Sequence, residues 1–360
     1  MISSEKLNKI YSQMENEKLT QMLVSDPAAV FYLTGKWIFP GERFMALLLQ
    51  KDKKPVFIVN ELFAFSEDMG AAKVYFKDTD DITLVLQRLI DKGSTLGVDK
   101  IMPARFILPI QETKVAANLV NCSPIIDEAR SLKDEEERQL MREASVVNDK
   151  AMDGFKGLLR TGITELEVAD SMLKIYKDLG ASAYSFEPIV AFGANAADPH
   201  HMPDETKLSE GDGVLFDVGC ILNNYCSDMT RTFFWKKEPT AFQKEIYALV
   251  LEANEEAEKM LRPGISIASI DKRARDIITK AGHGAEFTHR LGHFIGIETH
   301  EAGDVSQANK GITRPGNIFS IKPGVYVTGK VGVRIEDLAM ITEDGCEILN
   351  HYSKKIETIS

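Results

Sequence analysis

Two aspartates in one stretch of predicted β-structure are the first residues whose type and spacing indicate chemistry. Asp217 and Asp228 lie in GDGVLFDVGCILNNYCSDMTRTFFW, where Asn223 and Asn224 separate two runs of apolar and β-branched residues. The pattern predicts a hairpin centred near Leu222 and Asn223, in which Asp217 and Asp228 face each other. Opposed Cβ atoms in antiparallel strands are about 4.5–5.5 Å apart, where like charges are destabilising. A metal ion between the carboxylates would remove that cost. Two solvent-facing aspartates on an edge strand are the alternative.

Histidines cluster in the same part of the chain. Six of the seven lie between positions 200 and 300, and His289, His293 and His300 fall within THRLGHFIGIETHEAG. Gly292 and Gly296 flank His293 and would let backbone and ligand approach it closely. Neutral imidazole is a ready ligand for Zn, Mn or Co, and the aspartate pair lies in the same predicted domain. We therefore favour a metal site over histidines satisfied in a core.

A third charged group stands in VGVRIEDL. Arg334 and Glu336 alternate there with Val333 and Ile335, so the two charged side chains are predicted to share one face of a strand. Arg334 can then orient the Glu336 carboxylate by a charge-assisted hydrogen bond.

The elements that must position these residues form two predicted domains in a chain of 360 residues. Residues 1–127 alternate short apolar runs with helix-length segments, which predicts an α/β domain. The charged stretch 128–155 has apolar residues near helical spacing behind an acidic first turn. It is predicted to lead into the first long helix of the second domain, residues 128–360.

An internal repeat is predicted in the second domain. Residues 159–180 and 261–282 align without gaps at an offset of 102 residues, sharing Leu-Arg, Gly-Ile, a Thr or Ser that can cap the next helix, and a closing Gly. Thr164 and Glu167 predict a capping box in the first copy. Duplication is the favoured interpretation, and a coincidence of similar loop, cap and helix sequences is the alternative.

Composition excludes several classes of partner. The formal net charge is -11, from 54 acidic and 43 basic residues, and no basic block stands out, so nucleic acid and anionic membrane surfaces are not expected. The N-terminus lacks a signal-peptide pattern and the longest apolar run is FMALLL, which predicts a cytoplasmic protein. The four cysteines show no C-x-x-C spacing and are expected to be reduced thiols.

Taken in order, LFDVG, SDMTRT, RLGHFIG, FSIKPGVY and VRIEDL resemble the motif series of the pita-bread metallopeptidases, especially the Xaa-Pro aminopeptidases and the Xaa-Pro dipeptidases, or prolidases. SDPAAVFYLTG and GERFMALLL resemble the creatinase-like N-terminal domain of those enzymes. The resemblance implies an α+β protein with an N-terminal creatinase-like α/β domain followed by a pita-bread (creatinase/aminopeptidase) domain. It also implies a homodimer that hydrolyses short proline-containing peptides.

The resemblance assigns roles to individual residues. It implies that Asp217 chelates one divalent ion, that Asp228 and Glu336 bridge it to a second ion, and that His293 binds the second. The two ions would be Mn, Co or Zn and would support a two-metal hydrolytic mechanism.

The remaining implied residues surround the ions. His289 and His300 would hold the substrate or stabilise the developing oxyanion, and Arg334 completes this predicted catalytic set. His200, in DPHHMP, matches the substrate-binding histidine of the family. His201 is an alternative match, and an ordinary surface histidine is a second alternative for His200.

One position departs from the family pattern. Lys322 stands in IKPG where the family has the glutamate of IEPG, a ligand of the same ion as His293. An ammonium group is a hydrogen-bond donor only and cannot bind a cation. It could occupy the space of the ion and pair with Asp228 and Glu336. Three alternatives follow: a one-metal enzyme, a metal-free relative that binds peptides without cutting them, and an active enzyme whose residue has been altered at this position.

Three functions are therefore compared. The first is a metallopeptidase of the Xaa-Pro dipeptidase or aminopeptidase type, impaired by Lys322 and holding one ion or none. The second is a catalytically silent peptide-binding relative of the same fold. The third is a metal-independent hydrolase like creatinase, against which the intact metal positions argue.

Overall fold

The chain folds into two compact units in a computed structural model that describes residues 2–360. The units are Met1–Arg130 and Ser131–Ser360. A helix, Ser123–Ser131, runs through the boundary predicted at residues 127 and 128. The domain limits inferred from the sequence stay a prediction.

The first unit contains one mixed sheet of six strands, in the order β4-β3-β2-β1-β5-β6. Its helices are α1 Ser4–Asn16, α2 Pro27–Thr34, α3 Ile82–Gln87, α4 Ala104–Glu112 and α5 Ser123–Ser131. Its strands are β1 Gln21–Val24, β2 Met45–Gln50, β3 Val56–Asn60, β4 Ala72–Phe76, β5 Thr95–Val98 and β6 Asn118–Asn121. The strands β1, β2 and β3 pair antiparallel, whereas β4, β5 and β6 join the sheet in parallel. The predicted α/β character is confirmed.

The second unit combines four long helices with short sheets. The helices are α6 Glu135–Lys156, α7 Glu165–Asp178, α8 Ala241–Glu258 and α9 Ile267–Lys280. The strands are β7 Ala183–Tyr184, β8 Ile189–Phe192, β9 Gly213–Val218, β10 Cys220–Leu222, β11 Tyr225–Cys226, β12 Met229–Trp235, β13 Gly292–His293, β14 Asp304–Val305, β15 Ile318–Ile321, β16 Gly324–Val327, β17 Val331–Arg334, β18 Asp337–Ile341, β19 Cys346–Ile348 and β20 Thr358–Ile359. As the charged stretch predicts, α6 begins with an acidic first turn, and Asp134 and Glu137 form its capping box.

The helices of the second unit form two similar pairs. Helix α6 packs on α7, and α8 packs on α9. One hydrophobic cluster surrounds the first pair and a second cluster surrounds the other. The loops before α7 and α9 match in conformation, since Gly162 and Gly264 have left-handed φ values of 85° and 82°. These matching parts support the duplication inferred from the sequence.

The two copies differ at the helix cap. Thr164 accepts the backbone N–H of Glu167, and the Glu167 carboxylate accepts the N–H of Thr164, which is the predicted capping box. Ser266 precedes α9 in the equivalent place, but its side chain makes no capping hydrogen bond. The second predicted cap is therefore wrong.

The register of the central hairpin differs from the prediction. Asn223 and Asn224 form a two-residue loop with φ values of 49° and 70°, and Leu222 pairs with Tyr225. In this register Asp217 lies opposite Thr230, not opposite Asp228. Asparagine tolerates left-handed φ at both central positions of such a turn, which explains the shift. A two-residue shift leaves every side chain on its predicted face.

The remaining gross features concern helices and thiols. None of the helices in residues 2–360 combines the length and the apolar composition needed to cross a lipid bilayer. The four cysteines are unpaired, and those at 122, 220 and 226 are buried. Burial raises the pKa of the Cys220 thiol to about 11 and that of Cys226 to about 12.

Candidate metal centre

One cavity of about 210 Å³ in the second unit gathers most of the predicted site residues. It is lined by Phe186, Ile189, Pro199, His200, Asp217, Asp228, His289, Arg290, His293, Thr299, His300, Lys322 and Arg334. Glu336 is the predicted site residue outside this lining, and it lies 3.4 Å from the Lys322 ammonium, measured from Oε1 to Nζ. The sequence prediction therefore names residues that meet in space, although they span more than a hundred positions.

Pairing between strands brings the carboxylates together. Asp217 in β9 lies opposite Thr230 in β12, and Thr230 exchanges two backbone hydrogen bonds with Glu336. The Thr230 hydroxyl also donates to Glu336 Oε2 at 2.8 Å. Asp228 follows β11 and lies opposite Gly219. A Cβ atom at position 219 would collide with the carbonyl oxygen of Ser227. These contacts hold three acidic side chains on one side of the sheet.

Four side chains present polar atoms suited to binding a cation. Ligand atoms of Asp228, His293 and Glu336 lie within 4.8 Å of one another, and all three residues are buried. The atoms Asp217 Oδ1, Asp228 Oδ1, His293 Nε2 and Glu336 Oε1 are buried without a hydrogen-bond partner among the described residues. Buried polar atoms without partners are uncommon in folded proteins. Three carboxylates and one imidazole are ligands for Mn, Co or Zn, so the residues present fit a divalent ion.

The electrostatic surroundings shift the pKa values of Asp228 and Asp217 in opposite directions. Burial, together with the charges of Glu336 and Asp217, raises the pKa of the Asp228 carboxyl well above its ordinary value. Burial would also raise the pKa of Asp217, but the Arg334 and Lys322 charges outweigh it and lower that pKa. Burial raises the pKa of Glu336 despite the nearby Lys322 charge. Without a metal ion, Asp228 is thus the carboxyl that most readily keeps its proton, and metal binding would displace that proton.

The histidines of the site favour the neutral form. Burial, and after it the Lys322 charge, lowers the pKa of His293 well below its ordinary value. The same two causes lower the pKa of His300, whose ring lies 4.1 Å from that of His293 between centroids. Neutral imidazole is the form that binds metal ions.

His289 is hydrogen-bonded through both ring nitrogens. Its Nδ1 lies 2.8 Å from the carbonyl oxygen of Arg290, and its Nε2 lies 2.8 Å from the Tyr326 hydroxyl. A carbonyl oxygen only accepts, so Nδ1 carries the proton and Nε2 accepts from Tyr326. Burial lowers the pKa of His289 to about 3. The predicted catalytic role of this residue stays a prediction, and in this arrangement Nε2 is already occupied.

Arg334 has a different partner from the predicted one. Its Nη2 donates to Asp217 Oδ2 at 2.6 Å, and its Nε donates to the Thr230 hydroxyl at 3.2 Å. Arg334 therefore reaches Glu336 only through Thr230, and the predicted direct bond to Glu336 is wrong. Arg334 and Glu336 both contact the Thr230 hydroxyl, so they share a face as predicted. Asp217 lies in β9, which belongs to a different sheet from β17.

Two polar residues of this network had escaped the sequence prediction. Thr230 links Arg334 to Glu336, and the Tyr326 hydroxyl links Arg334 Nη1, at 3.1 Å, to His289. Thr230 had a detectable signal, because it alternates with Asp228 on the inward face of its strand. Tyr326 lies in an apolar strand and carries no signal that separates it from a core residue.

The two adjacent histidines of DPHHMP point to different places. His200 lines the cavity, whereas His201 lies 2.6 Å from Glu165, measured from Nε2 to Oε2. The alternative match at His201 therefore does not reach the cavity. The role of His200 in substrate binding stays a prediction.

The predicted roles of the flanking glycines hold in part. A Cβ atom at Gly292 would collide with the carbonyl oxygen of Ser320, so close backbone approach is present there. At Gly296 the space is taken by the carboxylate of Glu301 and by Lys133. Gly296 therefore makes room for a buried ion pair of 2.7 Å, not for a ligand.

Lys322 lies among the carboxylates with 18% of its side chain exposed. Burial would lower the pKa of its ammonium group, but the charges of Glu336, Asp228 and Asp217 outweigh burial and raise that pKa above its ordinary value. The backbone N–H of Lys322 donates to the carbonyl oxygen of Leu291 at 2.7 Å, which fixes the start of the turn beside the His293 segment.

Comparison with known proteins agrees with this geometry. Residues 139–343 match the model of metallopeptidase family M24, and residues 6–132 match the creatinase/prolidase N-terminal domain. The chain therefore belongs to the M24 metallopeptidase family, with a creatinase N-terminal domain followed by a pita-bread domain. It is a peptidase of a family that uses divalent metal ions.

Individual relatives cover nearly the whole chain. An uncharacterized peptidase of Staphylococcus aureus is 36% identical over 97% of this chain and 99% of the relative. A crystal structure of recombinant prolidase from Thermococcus sibiricus has a TM-score of 0.92 and 32% identity, and covers 99% of both chains. An Xaa-Pro dipeptidase from Bacillus anthracis has a TM-score of 0.90 and 28% identity, covering 98% of this chain and 99% of the other.

Proposed function

We propose that this chain is a metal-dependent exopeptidase that hydrolyses Xaa-Pro bonds in short peptides with one divalent ion at its centre. The observation that carries the proposal is a buried group of ligand atoms: those of Asp228, His293 and Glu336 lie within 4.8 Å of one another, and Asp217 lines the same cavity as Asp228 and His293. The solved structures described as a prolidase and an Xaa-Pro dipeptidase support the substrate class. The cavity of about 210 Å³ is smaller than usual sites for drug-sized ligands, which suits a short peptide.

Formal charge favours one ion at this centre. The site holds three carboxylates, those of Asp217, Asp228 and Glu336. Arg334 and Lys322 supply two positive charges, so one net negative charge remains. With a glutamate at position 322, three net negative charges would remain. One dication therefore brings the lysine-containing site to the same net charge that two dications would give the glutamate-containing site.

The chain's own residues have separate tasks in the proposed reaction. A divalent ion held by these residues would supply Lewis-acid polarisation of the peptide carbonyl and activation of water. Arg334 fixes the Asp217 carboxylate, and Thr230 fixes Glu336. His300, neutral at the edge of the cavity, is the group proposed to donate a hydrogen bond to the carbonyl oxygen as charge develops. His289, held by Tyr326, is proposed to shape the substrate side of the cavity, and His200 to contact the substrate.

A second function remains in competition because of Lys322. A peptide-binding protein that does not cut its ligand would keep the same cavity, and the ammonium group would satisfy part of the acidic cluster without metal. The two functions differ in a direct observation. The peptidase releases proline from Ala-Pro when metal is added, whereas the silent relative binds Ala-Pro and leaves it intact.

The test of the proposed function is a substrate panel with matched controls. Ala-Pro, Ala-Ala and Ala-Pro-Ala are incubated with the purified chain in Mn, Co or Zn and in a chelator. The proposal predicts metal-dependent cleavage of the Ala-Pro bond and little cleavage of Ala-Ala. Cleavage in chelator, or equal cleavage of Ala-Ala, would refute it. Intact Ala-Pro that binds measurably in every metal would favour the silent relative.

The proposal keeps two further properties implied by the resemblance. The ion is Mn, Co or Zn, and the enzyme is a cytoplasmic homodimer. Native mass spectrometry in each metal reports the number of chains and the number of ions in the same spectrum. A monomer at micromolar concentration would remove the dimer from the proposal and leave the peptidase function standing.

A further inference from the structure

A second buried acidic group lies outside the metal centre. Glu165 is the first residue of α7 and has no exposed surface. Its Oε1 accepts the backbone N–H of Phe192 at 2.6 Å and the Asn195 amide at 3.1 Å. Its Oε2 lies 2.6 Å from His201 Nε2 and accepts the N–H of Asp204 at 3.2 Å. One carboxylate is thus the common partner of four groups that all belong to residues 192–204.

This cluster has the composition of a metal site, but its geometry excludes that use. Glu165, His201 and Asp204 could offer three ligand atoms. The His201 nitrogen and the Glu165 oxygen are at direct hydrogen-bond distance, however, which leaves no space for an ion between them. The other Glu165 oxygen already accepts two donors. The cluster is a filled polar network.

The segment that Glu165 holds also lines the catalytic cavity. Residues 192–204 include Pro199 and His200, both in the cavity wall. The carbonyl oxygen of Pro199 accepts Arg334 Nη1 at 3.2 Å, which joins the segment to the metal centre on its other side. His201 contacts Glu165 while its neighbour His200 faces the cavity. The contact with Glu165 is therefore adjacent in the chain to the cavity wall.

We propose that Glu165 and His201 are positioning residues that set the place of His200 in the substrate cavity. They control the affinity for the peptide and leave the binding of the metal ion unchanged. The inference rests on the proposed function, in which the ligand is a short Xaa-Pro peptide and His200 contacts it. Neither residue touches the substrate. Both act through the loop that carries His200.

The test compares Glu165→Gln with Glu167→Gln. Both changes remove one negative charge from the first turn of α7. Glu167 is exposed, however, and among the contacts in that turn its carboxylate bonds only to the capping residue Thr164. The change in the helix-dipole interaction is therefore matched, and a glutamine at 167 can still accept a hydrogen bond in the capping box. We expect Glu165→Gln to raise KM for Ala-Pro about tenfold, the usual effect of losing a charge-assisted hydrogen bond, with kcat within about twofold. Glu167→Gln should leave both constants near wild type.

A double-mutant cycle shows whether Glu165 acts through His200. In a His200→Ala background the rise in KM caused by Glu165→Gln should disappear, because the group that it positions is gone. His201→Leu should behave like Glu165→Gln, and His201→Gln, which keeps a donor, should restore part of the affinity. Metal content, measured by mass spectrometry, should be the same in all variants. An undiminished KM effect in the His200→Ala background, or a loss of metal, would overturn the inference.

A second measurement does not depend on activity. The backbone amides of Phe192 and Asp204 donate to Glu165, so hydrogen exchange in residues 192–204 should accelerate in Glu165→Gln and not in Glu167→Gln. Unchanged exchange in Glu165→Gln would overturn the inference even if the chain cleaves Ala-Pro. Accelerated exchange in Glu165→Gln, in a protein that neither binds nor cleaves Ala-Pro, would show that Glu165 holds residues 192–204 in place. It would contradict the role of that segment in peptide affinity, and it would refute the proposed function separately.

Discussion

At the scale of single residues, we expect Asp228 to destabilise the protein until a metal ion binds. Its carboxyl is buried beside two other carboxyls, and no hydrogen bond reaches its Oδ1 among the described residues. Groups arranged for a cation cost stability when the cation is missing, because their mutual repulsion and their desolvation are not offset. The same residue therefore has opposite effects on the metal-free and the metal-loaded protein.

This opposition gives a prediction for Asp228→Asn. In chelator the variant should melt at a higher temperature than wild type, since it keeps the volume and removes the repulsion. In saturating Mn the wild type should gain stability while the variant gains almost none, and metal-stimulated cleavage should fall at least about 100-fold. Thermal unfolding with and without Mn measures the first two effects. A variant that keeps its metal-induced stabilisation would place the metal site elsewhere.

The pH dependence of that stability difference has a definite sign. The pKa of Asp228 is raised in the folded protein by burial and by neighbouring carboxylates. An unfolded aspartate ionises at about pH 3.9. Above that pH the unfolded chain gains from ionisation and the folded chain does not, so the wild type loses stability relative to Asp228→Asn until the folded pKa is passed.

We therefore expect the stability gap between Asp228→Asn and wild type, both in chelator, to widen as pH rises from about 4. Urea unfolding at three pH values between 4.5 and 7.5 measures the gap. Asp170→Asn, the same substitution on the exposed face of α7 and away from the candidate metal centre, is the control. A gap that narrows with rising pH would mean that Asp228 is ionised and well paired without metal.

At the scale of helices and strands, the internal repeat offers two equivalent N-cap positions that can be compared. Thr164 caps α7 with its side chain, whereas Ser266 stands in the equivalent place before α9 and makes no such bond. Thr164→Ala should cost about 1 kcal/mol, the usual value of a side-chain cap, and Ser266→Ala should stay within about 0.5 kcal/mol. Chemical denaturation of the two variants measures the difference. Equal losses would show that Ser266 caps α9 in solution.

Local sequence patterns predicted the secondary-structure elements better than they predicted which residues contact each other across those elements. The capping box of Thr164 and Glu167 depends on residues three apart, and the alternation of charged and apolar residues fixed which face Arg334 and Glu336 share. The partner of Arg334 could not be predicted in the same way, because Asp217 lies on a strand more than a hundred residues earlier in the chain. Periodicity identifies the face of a strand, whereas the identity of its neighbour depends on the topology of the sheet.

The hairpin shows how a turn decides register. The two asparagines indicated a turn correctly, but placing its centre one position too early shifted the facing residue from Thr230 to Asp228. Because the shift is even, each side chain stays on its predicted face, and the predicted site residues still meet.

Glu165 was not predicted for another reason. A glutamate in the first turn of a helix is ordinary, and only the folded structure shows that this one is buried and accepts from four donors.

At the scale of the whole molecule, the M24 architecture holds a lysine, Lys322, among the carboxylates of its candidate metal centre. The family model and the N-terminal domain model together cover most of the chain, and the ligand atoms of Asp217, Asp228, His293 and Glu336 are in place. The net charge of the site is the quantity that Lys322 changes. We propose that Lys322 leaves a centre whose charge is balanced by one dication, whereas a glutamate at this position would leave a centre that needs two.

The number of ions bound per chain tests that claim most directly. Mn, Co or Zn is titrated into wild type, Lys322→Glu and Lys322→Met, with ions counted by mass spectrometry and calorimetry and with Ala-Pro hydrolysis measured in parallel. We expect one ion in wild type and two in Lys322→Glu, with a gain in cleavage of several orders of magnitude because the second ion contributes to activating water and stabilising charge. Lys322→Met, which has neither the positive charge nor a carboxylate oxygen, should bind one ion more tightly than wild type. Two tightly bound ions and full activity with lysine in place would contradict the claim.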